Sequence, residues 1–213
     1  MKILDFFLGV KDKAHTMGFK TFHQDSGYKV KGHVFIELRN GKTGEIEDKR
    51  EIPNLVVKDA SILIARLMKN SSEPPHGLYA LAVGTGNVGW NPMSPPAPTN
   101  TQRALYSELA RKTFTATTFI DGSGNPTSIP TNVVDFSTTF AEAEAVGPLV
   151  EMSLIGGNIS TNMSTRNPVV PPNGAYDPTV DLTTKETMGN YLTYPVINKP
   201  ATSTLQLVWR LTF

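Results

Sequence analysis

The sequence predicts a mainly β fold, an antiparallel β-sandwich with one packed α-helix and long loops. Several segments alternate apolar and polar residues with a period of two, whereas only one segment repeats apolar residues at helical spacing. The composition agrees with this, because hydrophobic residues make up only 39% of the chain and charged residues 18%, with 17 glycines and 16 prolines. Such a composition is typical of many strands joined by turns, and it disfavours a helical bundle.

The first predicted strand begins at Lys29. Its apolar residues fall on one face: Val30, Val34, Ile36 and Leu38. Asn40-Gly41 follows, and residues 45–52 return as a second, very polar strand. Because Asn-Gly between two extended segments is a strong signal for a tight turn, these two strands are predicted to form a hairpin.

Residues 58–70 form the one predicted helix. Its apolar residues make a single stripe: Ala60, Leu63, Ile64, Leu67 and Met68. Asp59 in the first turn complements the helix dipole, and the Ser and Pro residues after residue 70 end the helix. We expect this helix to pack on a sheet.

The remaining strands are predicted from short apolar or alternating segments. They span residues 78–83, 112–120, 134–144, 149–155 and 205–213. A turn or two of helix is expected within residues 101–109. The last strand has the clearest alternation, with Leu205, Leu207, Trp209 and Leu211 on one face.

Two segments stand apart from the predicted sandwich domain of residues 28–213. Residues 1–27 are interpreted as an N-terminal docking arm, with a frayed terminus as the alternative. Residues 156–188 form a long loop that carries few charges and many Asn, Ser, Thr and Pro residues. Because a freely solvated tail is usually charged, this loop is expected to lie against another subunit.

Residues 84–89 read GTGNVG and match the glycine pattern of a dinucleotide-binding turn. Such a turn needs a helix directly after it, so that the helix N-terminus faces the pyrophosphate. Here Trp90, Asn91 and Pro92 follow, and a Pro-rich loop continues to residue 98. We therefore interpret Gly84 and Gly86 as residues of a tight turn with positive φ, and predict no cofactor site.

Glu142, Glu144 and Glu151 are the carboxylates that a hydrolase could use as acid and base. No cluster of sugar-binding aromatic residues accompanies them, so ion pairs are expected with the nearby basic residues Arg103, Arg111 or Lys112. The four histidines lack the spacing of metal ligands, and the chain has no cysteine. The sequence thus predicts no catalytic residue, no metal site and no small-molecule substrate.

The net charge is only +1, so the chain lacks the excess of positive charge that is typical of proteins that bind nucleic acid. No segment approaches the roughly 20 consecutive apolar residues of a membrane-spanning helix. Neither a nucleic acid nor a membrane span is therefore expected among the partners.

Several short motifs follow one another in a fixed order between residues 54 and 213. Asn54 precedes the helix, the GTG turn follows a strand, and a Pro/Thr loop leads to residues 105–111, which read LYSELAR. Residues 194–199 read YPVINK, and the last strand contains W-x-L-x-F. This order resembles a family of small structural proteins of tailed bacteriophages and related contractile particles, in which a GTG turn precedes an L-x-x-E-L-x-R segment.

The resemblance implies a virion component of the tail, baseplate, neck or fibre-attachment region, made in the host cytoplasm and assembled in multiple copies without catalysis. Its partners would be copies of itself and neighbouring virion proteins. Residues 1–27 and the loop at 156–188 depart from the family pattern, which leaves the position in the particle open. The alternatives are a capsid-decorating or head-fibre protein, a carbohydrate-binding tip that uses Trp90, and a cell-wall or polysaccharide hydrolase.

The subunit contacts expected from this interpretation lie in the arm, the Pro-rich loop and the long loop. They are Phe6, Phe7, Phe19, Trp90, Pro95, Pro96, Val169, Val170 and Tyr176.

Overall fold

The computed structural model describes residues 30–69, 76–157 and 186–213. Within these ranges it contains one helix and ten strands, and all the strand pairings are antiparallel. The elements are β1 (Lys31–Asn40), β2 (Ile46–Val56), α1 (Lys58–Lys69), β3 (His76–Gly84), β4 (Glu108–Thr113), β5 (Ala116–Ile120), β6 (Pro126–Thr127), β7 (Val133–Phe140), β8 (Gly147–Gly157), β9 (Glu186–Lys199) and β10 (Ser203–Thr212). The predicted mainly β, antiparallel fold with one helix is confirmed.

The strands follow the order β4-β3-β8-β9-β2-β1-β10-β7-β5-β6. β2 and β9 pair only through Leu55 and Val56, which lie opposite Tyr191 and Asn190. This short join divides the order into two layers, one built from β4, β3, β8 and β9 and the other from the remaining six strands. The apolar faces of the two layers pack together as a sandwich.

The core lies between these layers. Trp209 is fully buried, and it pairs with Val34 of β1 on one side and Phe136 of β7 on the other. Leu81 of β3 and Met152 of β8 belong to the same cluster and come from the opposite layer. The apolar residues whose alternation predicts β1 and β10 are therefore the ones that fill the core of the sandwich.

The hairpin between β1 and β2 has the predicted Asn-Gly turn. Asn40 Oδ1 accepts hydrogen bonds from the backbone N–H groups of Lys42 and Thr43 at 3.0 and 3.1 Å. Gly44 has a φ of 74° and donates its N–H to the Asn40 carbonyl. The turn thus depends on the Asn side chain and on one residue that adopts the left-handed region.

Helix α1 packs against the layer that contains β3, β8 and β9. Ala60 and Leu63 are buried, and a Cβ added to Gly156 of β8 would lie only 2.8 Å from Leu63 Cδ2. The helix therefore lies directly on the backbone of β8. The predicted stripe is buried only in part, because Ile64, Leu67 and Met68 are exposed.

Strand β9 is missing from the sequence-based prediction, and it contains Pro195. Its pairing with β8 shifts so that Leu149 lies opposite Ile197 and Glu151 opposite Thr193, which leaves residues 194–196 in a bulge. The carbonyls of Pro195 and Val196 accept hydrogen bonds from the Arg50 guanidinium. Proline is accepted here because a residue in a bulge need not donate an N–H to the ladder, and Arg50 of β2 supplies donors to the free carbonyls.

Four predictions about the position of these elements are wrong. Residues 101–107 contain no helix, and the single predicted strand at 112–120 is divided into β4 and β5. β7 ends at Phe140, so Glu142 and Glu144 lie in a turn where Ala145 has a φ of 51°. The predicted long loop is also shorter, since Gly156 belongs to β8 and residues 186–188 to β9.

Residues 158–185 and the arm of residues 1–27 lie outside the described residues, so the interpretations of both segments stay predictions. In the part of the chain that the structure describes, no helix has the length and hydrophobicity needed to cross a membrane.

Candidate functional site

The GTG segment ends β3 and turns the chain into the Pro-rich loop. Gly84 is the last residue of β3, and a Cβ there would lie 2.5 Å from the Ser107 carbonyl oxygen and 2.6 Å from Glu151 Oε1. Gly86 has a φ of 71°, and a Cβ there would lie 2.6 Å from both Trp90 and Val150. The positive φ predicted for Gly86 is confirmed, but the one predicted for Gly84 is wrong, because Gly84 still belongs to the extended strand. Gly84 is therefore required for close packing alone, and Gly86 for both its conformation and its packing.

Glu151 of β8 lies beside this turn and is fully buried. Its Oε1 accepts hydrogen bonds from the N–H groups of Gly86 and Ser107 at 3.2 and 2.9 Å. Its Oε2 accepts from the Tyr106 N–H at 3.1 Å and from the Tyr191 hydroxyl at 2.9 Å. One carboxylate thus joins the GTG turn, the segment before β4, and β9.

Burial raises the pKa of Glu151, and the four hydrogen bonds to its carboxylate oppose that effect only in part. Burial and the neighbouring Glu151 charge both raise the pKa of Tyr191, so its hydroxyl stays a hydrogen-bond donor. The pKa of Tyr194 is raised for the same two reasons, and its hydroxyl donates to the Glu151 carbonyl at 3.4 Å. Both tyrosine hydroxyls therefore stay protonated beside Glu151.

A small cavity of about 100 Å³ opens next to this network. Trp90, Tyr106 and Tyr191 line it, and the rings of Trp90 and Tyr106 meet edge to face, with centroids 4.8 Å apart and planes at 68°. Polar groups complete the lining: Thr99, Gln102 and Thr193. We call this space the aromatic cavity.

The Pro-rich loop that forms one wall of the aromatic cavity is fixed to β9 by two hydrogen bonds. The Thr193 hydroxyl donates to the Pro96 carbonyl at 2.7 Å, and the Val196 N–H donates to the Pro92 carbonyl at 2.8 Å. The loop is therefore ordered by its backbone even though it contains four prolines.

The predicted contact residues of this loop have different surroundings. Trp90 and Pro95 are half-buried, whereas Pro96 is exposed. A carbohydrate-binding tip that uses Trp90 needs an exposed ring, but Trp90 packs over Gly86 and against Tyr106. The other predicted contacts lie outside the described residues: Phe6, Phe7, Phe19, Val169, Val170 and Tyr176.

The ion pairs expected for the three glutamates form only in part. Glu144 pairs with Lys112, as predicted. Arg111 pairs with Glu108, and Arg103 lies 3.5 Å from Asp59. Glu151 instead binds backbone amides and a tyrosine. The sequence does contain a signal for this role, since Glu151 is the only charged residue of an otherwise apolar strand.

Glu144 has an unusually acidic carboxyl. Burial is the largest single influence on its pKa and raises it, but hydrogen bonds from Lys112 and from the Ala141 N–H together outweigh burial and lower the pKa below 4.5. The Lys199 ammonium donates to the carbonyls of Ala141 and Glu142 in the same turn, at 2.8 and 3.0 Å. The turn after β7 is therefore held by two lysines.

Glu144→Gln is expected to lower the free energy of unfolding by about 1 kcal/mol at neutral pH. Because the folded-state pKa of Glu144 lies below its unfolded value, its contribution is fully present above about pH 4.5 and is lost as pH falls through the folded-state pKa. Urea unfolding at neutral pH and at an acidic pH should show the deficit becoming smaller as the pH falls. Glu142→Gln, an exposed change in the same turn, is the control. A Glu144→Gln deficit of equal size at both pH values would contradict this account.

No protein-family model matches the sequence, and no curated protein matches it either. Among residues 30–69, 76–157 and 186–213, no group of three or more His, Asp and Glu side chains is placed to hold a metal ion.

Proposed function

We propose that this chain is a non-enzymatic structural component of a phage or phage-like particle, assembled as multiple copies in the tail, baseplate, neck or fibre-attachment region. The observation that carries the proposal is an ordered loop with exposed apolar side chains. Val88 is fully exposed and Met93 is 67% exposed, although the backbone of the loop is bonded to β9. Apolar side chains that a backbone-bonded loop leaves in water are available to contact another subunit, where burial would stabilise the contact.

The hydrogen bonds that the carboxylates of Glu151 and Glu144 accept support a non-catalytic role. The Glu151 carboxylate already accepts four hydrogen bonds, and the Glu144 carboxylate is bonded to Lys112 and to the Ala141 N–H. A general acid or base must reach the proton that it transfers, and a carboxylate saturated by backbone amides is poorly suited to that task. The hydrolase alternative would gain support from a lytic activity that Glu142→Gln abolishes.

The order of motifs between residues 54 and 213 supports a place in a virion rather than in another assembly. Within that proposal, a tail, baseplate or neck position competes with a capsid-decorating or head-fibre position. Imaging of the parent particle with this chain labelled separates them. A label on the head would replace the tail proposal with the decorating one.

Replacing Val88 and Met93 with serine is expected to weaken self-association without destabilising the fold, because both side chains are exposed. Native mass measurement should show an oligomer for the wild type and smaller species for the double variant. Ile129→Ser, also at an exposed apolar residue but outside this loop, is the matched control. A wild-type chain that remains strictly monomeric at high concentration would argue against assembly through this loop.

A further inference from the structure

The aromatic cavity has walls from three separate parts of the chain. Trp90 comes from the Pro-rich loop, Tyr106 from the segment before β4, and Tyr191 from β9. The ring planes of Trp90 and Tyr106 meet at 68°, so they form a corner rather than two parallel plates. A corner of aromatic rings suits a compact, rounded group, whereas a flat ring stacks best on one open aromatic face.

The size of the cavity favours the same kind of occupant. At about 100 Å³ it is smaller than an apolar cavity of about 150 Å³, which holds a benzene molecule. A whole sugar ring would not be enclosed. A small group with methyl substituents would fill the space, while the rest of its molecule extends past the exposed side chains of Tyr106 and Thr99.

The electrostatics favour a cation. None of the eight residues that line the cavity is charged. Glu151 lies directly behind the wall, because its carboxylate is bonded to both the Tyr106 N–H and the Tyr191 hydroxyl. This carboxylate is buried away from solvent, so its field reaches the cavity with little screening. The faces of Trp and Tyr rings also attract positive charge.

The walls are held in place before any ligand binds. Glu151 fixes the backbone of Tyr106 and the hydroxyl of Tyr191, and Gly86 lies under Trp90. The Thr193 hydroxyl donates to Pro96, and the Gln102 amide donates to the Ala104 carbonyl at 2.6 Å. A site ordered in this way loses little entropy on binding.

We propose that the aromatic cavity binds a quaternary ammonium group, such as the trimethylammonium group of choline. Such a group is cationic, rounded and rich in methyl groups, and it needs no hydrogen-bond acceptor, which matches a corner of aromatic rings with a buried carboxylate behind it. This inference goes beyond the proposed structural role and does not depend on it, since a virion component or any other binding protein could present such a site.

The test compares choline with its uncharged isostere 3,3-dimethyl-1-butanol, in which carbon replaces the ammonium nitrogen. Binding is followed by tryptophan fluorescence, because the chain has two tryptophans and Trp209 is fully buried in the core. We expect saturable binding of choline, about tenfold tighter than that of the isostere. Equal affinities, or no binding of choline, would overturn the proposal. Methyl glucoside as a third probe covers the carbohydrate alternative, and tighter binding of it than of choline would also overturn the proposal.

Two variants at one position place the ligand in the cavity. Tyr106→Leu removes an aromatic wall and is expected to weaken choline binding about tenfold, whereas Tyr106→Phe keeps the ring and most of the affinity. Tyr106 is about half exposed, so both variants are expected to fold, and their urea midpoints verify this. Choline binding that survives unchanged in Tyr106→Leu would show that the ligand binds elsewhere and would refute the proposed site.

Discussion

Replacing Glu151 with leucine is expected to lower the free energy of unfolding by about 4 kcal/mol. The change leaves three backbone N–H groups and the Tyr191 hydroxyl without their acceptor. Each unsatisfied buried donor costs about 1 to 3 kcal/mol, and some of that cost is recovered as the loop relaxes and admits water. Urea unfolding of the wild type and the variant measures the difference.

Two further variants test whether the lost stability comes from the hydrogen bonds to the Glu151 carboxylate. Glu151→Gln keeps the shape and one acceptor oxygen but turns an NH₂ group toward N–H donors, so an intermediate loss is expected. Glu51→Leu, an exposed glutamate of β2, should change the stability by no more than about 0.5 kcal/mol. If Glu151→Leu unfolds at the same urea concentration as the wild type, the carboxylate does not hold the three segments together.

Gly84→Ala is expected to cost about 3 kcal/mol, the second largest effect. The added methyl group would lie 2.5 Å from the Ser107 carbonyl oxygen and 2.6 Å from Glu151 Oε1. A backbone oxygen cannot move away without breaking its hydrogen bond from the Thr85 N–H, so the clash is not relieved by a side-chain rotation. The midpoint of urea unfolding is again the measurement.

Gly89→Ala is the matched control, because it changes the last glycine of the same GTGNVG segment. The nearest heavy atom to a Cβ there is Asn87 Oδ1 at 3.6 Å, an ordinary contact distance. Alanine there should be neutral or stabilise the fold by up to about 1 kcal/mol through the unfolded chain. Equal losses from Gly84→Ala and Gly89→Ala would mean that close packing is not what requires Gly84.

The sequence predicts those elements whose periodicity reflects burial on one face. β1 and β10 alternate because each covers the core with every second side chain, and Val34 and Trp209 are buried as expected. β9 was missed as a long strand because Gly189 and Pro195 interrupt its pattern. The bulge that accommodates Pro195 depends on the register between β8 and β9, and the Arg50 donor to its carbonyl comes from a residue far away in the chain, so neither leaves a local trace in the sequence.

The candidate site was predicted less well than the fold, for a related reason. Gly86 is recognisable as a turn glycine from its neighbours, and the structure gives it a φ of 71°. Glu151 is a lone carboxylate in an apolar strand, a pattern that fits an ion pair, a catalytic acid or a structural acceptor equally well. Only the approach of residues 106 and 107 and of Tyr191 identifies it as an acceptor.

The pairing of β1 with β10 sets the order in which the molecule can be completed. Lys31 lies opposite Thr212, and β10 is also the strand that joins β1 to β7. During translation, the early hairpin of β1 and β2 therefore waits with one hydrogen-bonding edge of β1 unpaired until the residues up to Thr212 have been synthesised. A topology dominated by such distant pairings folds slowly and leaves nascent chains open to chaperones and to aggregation.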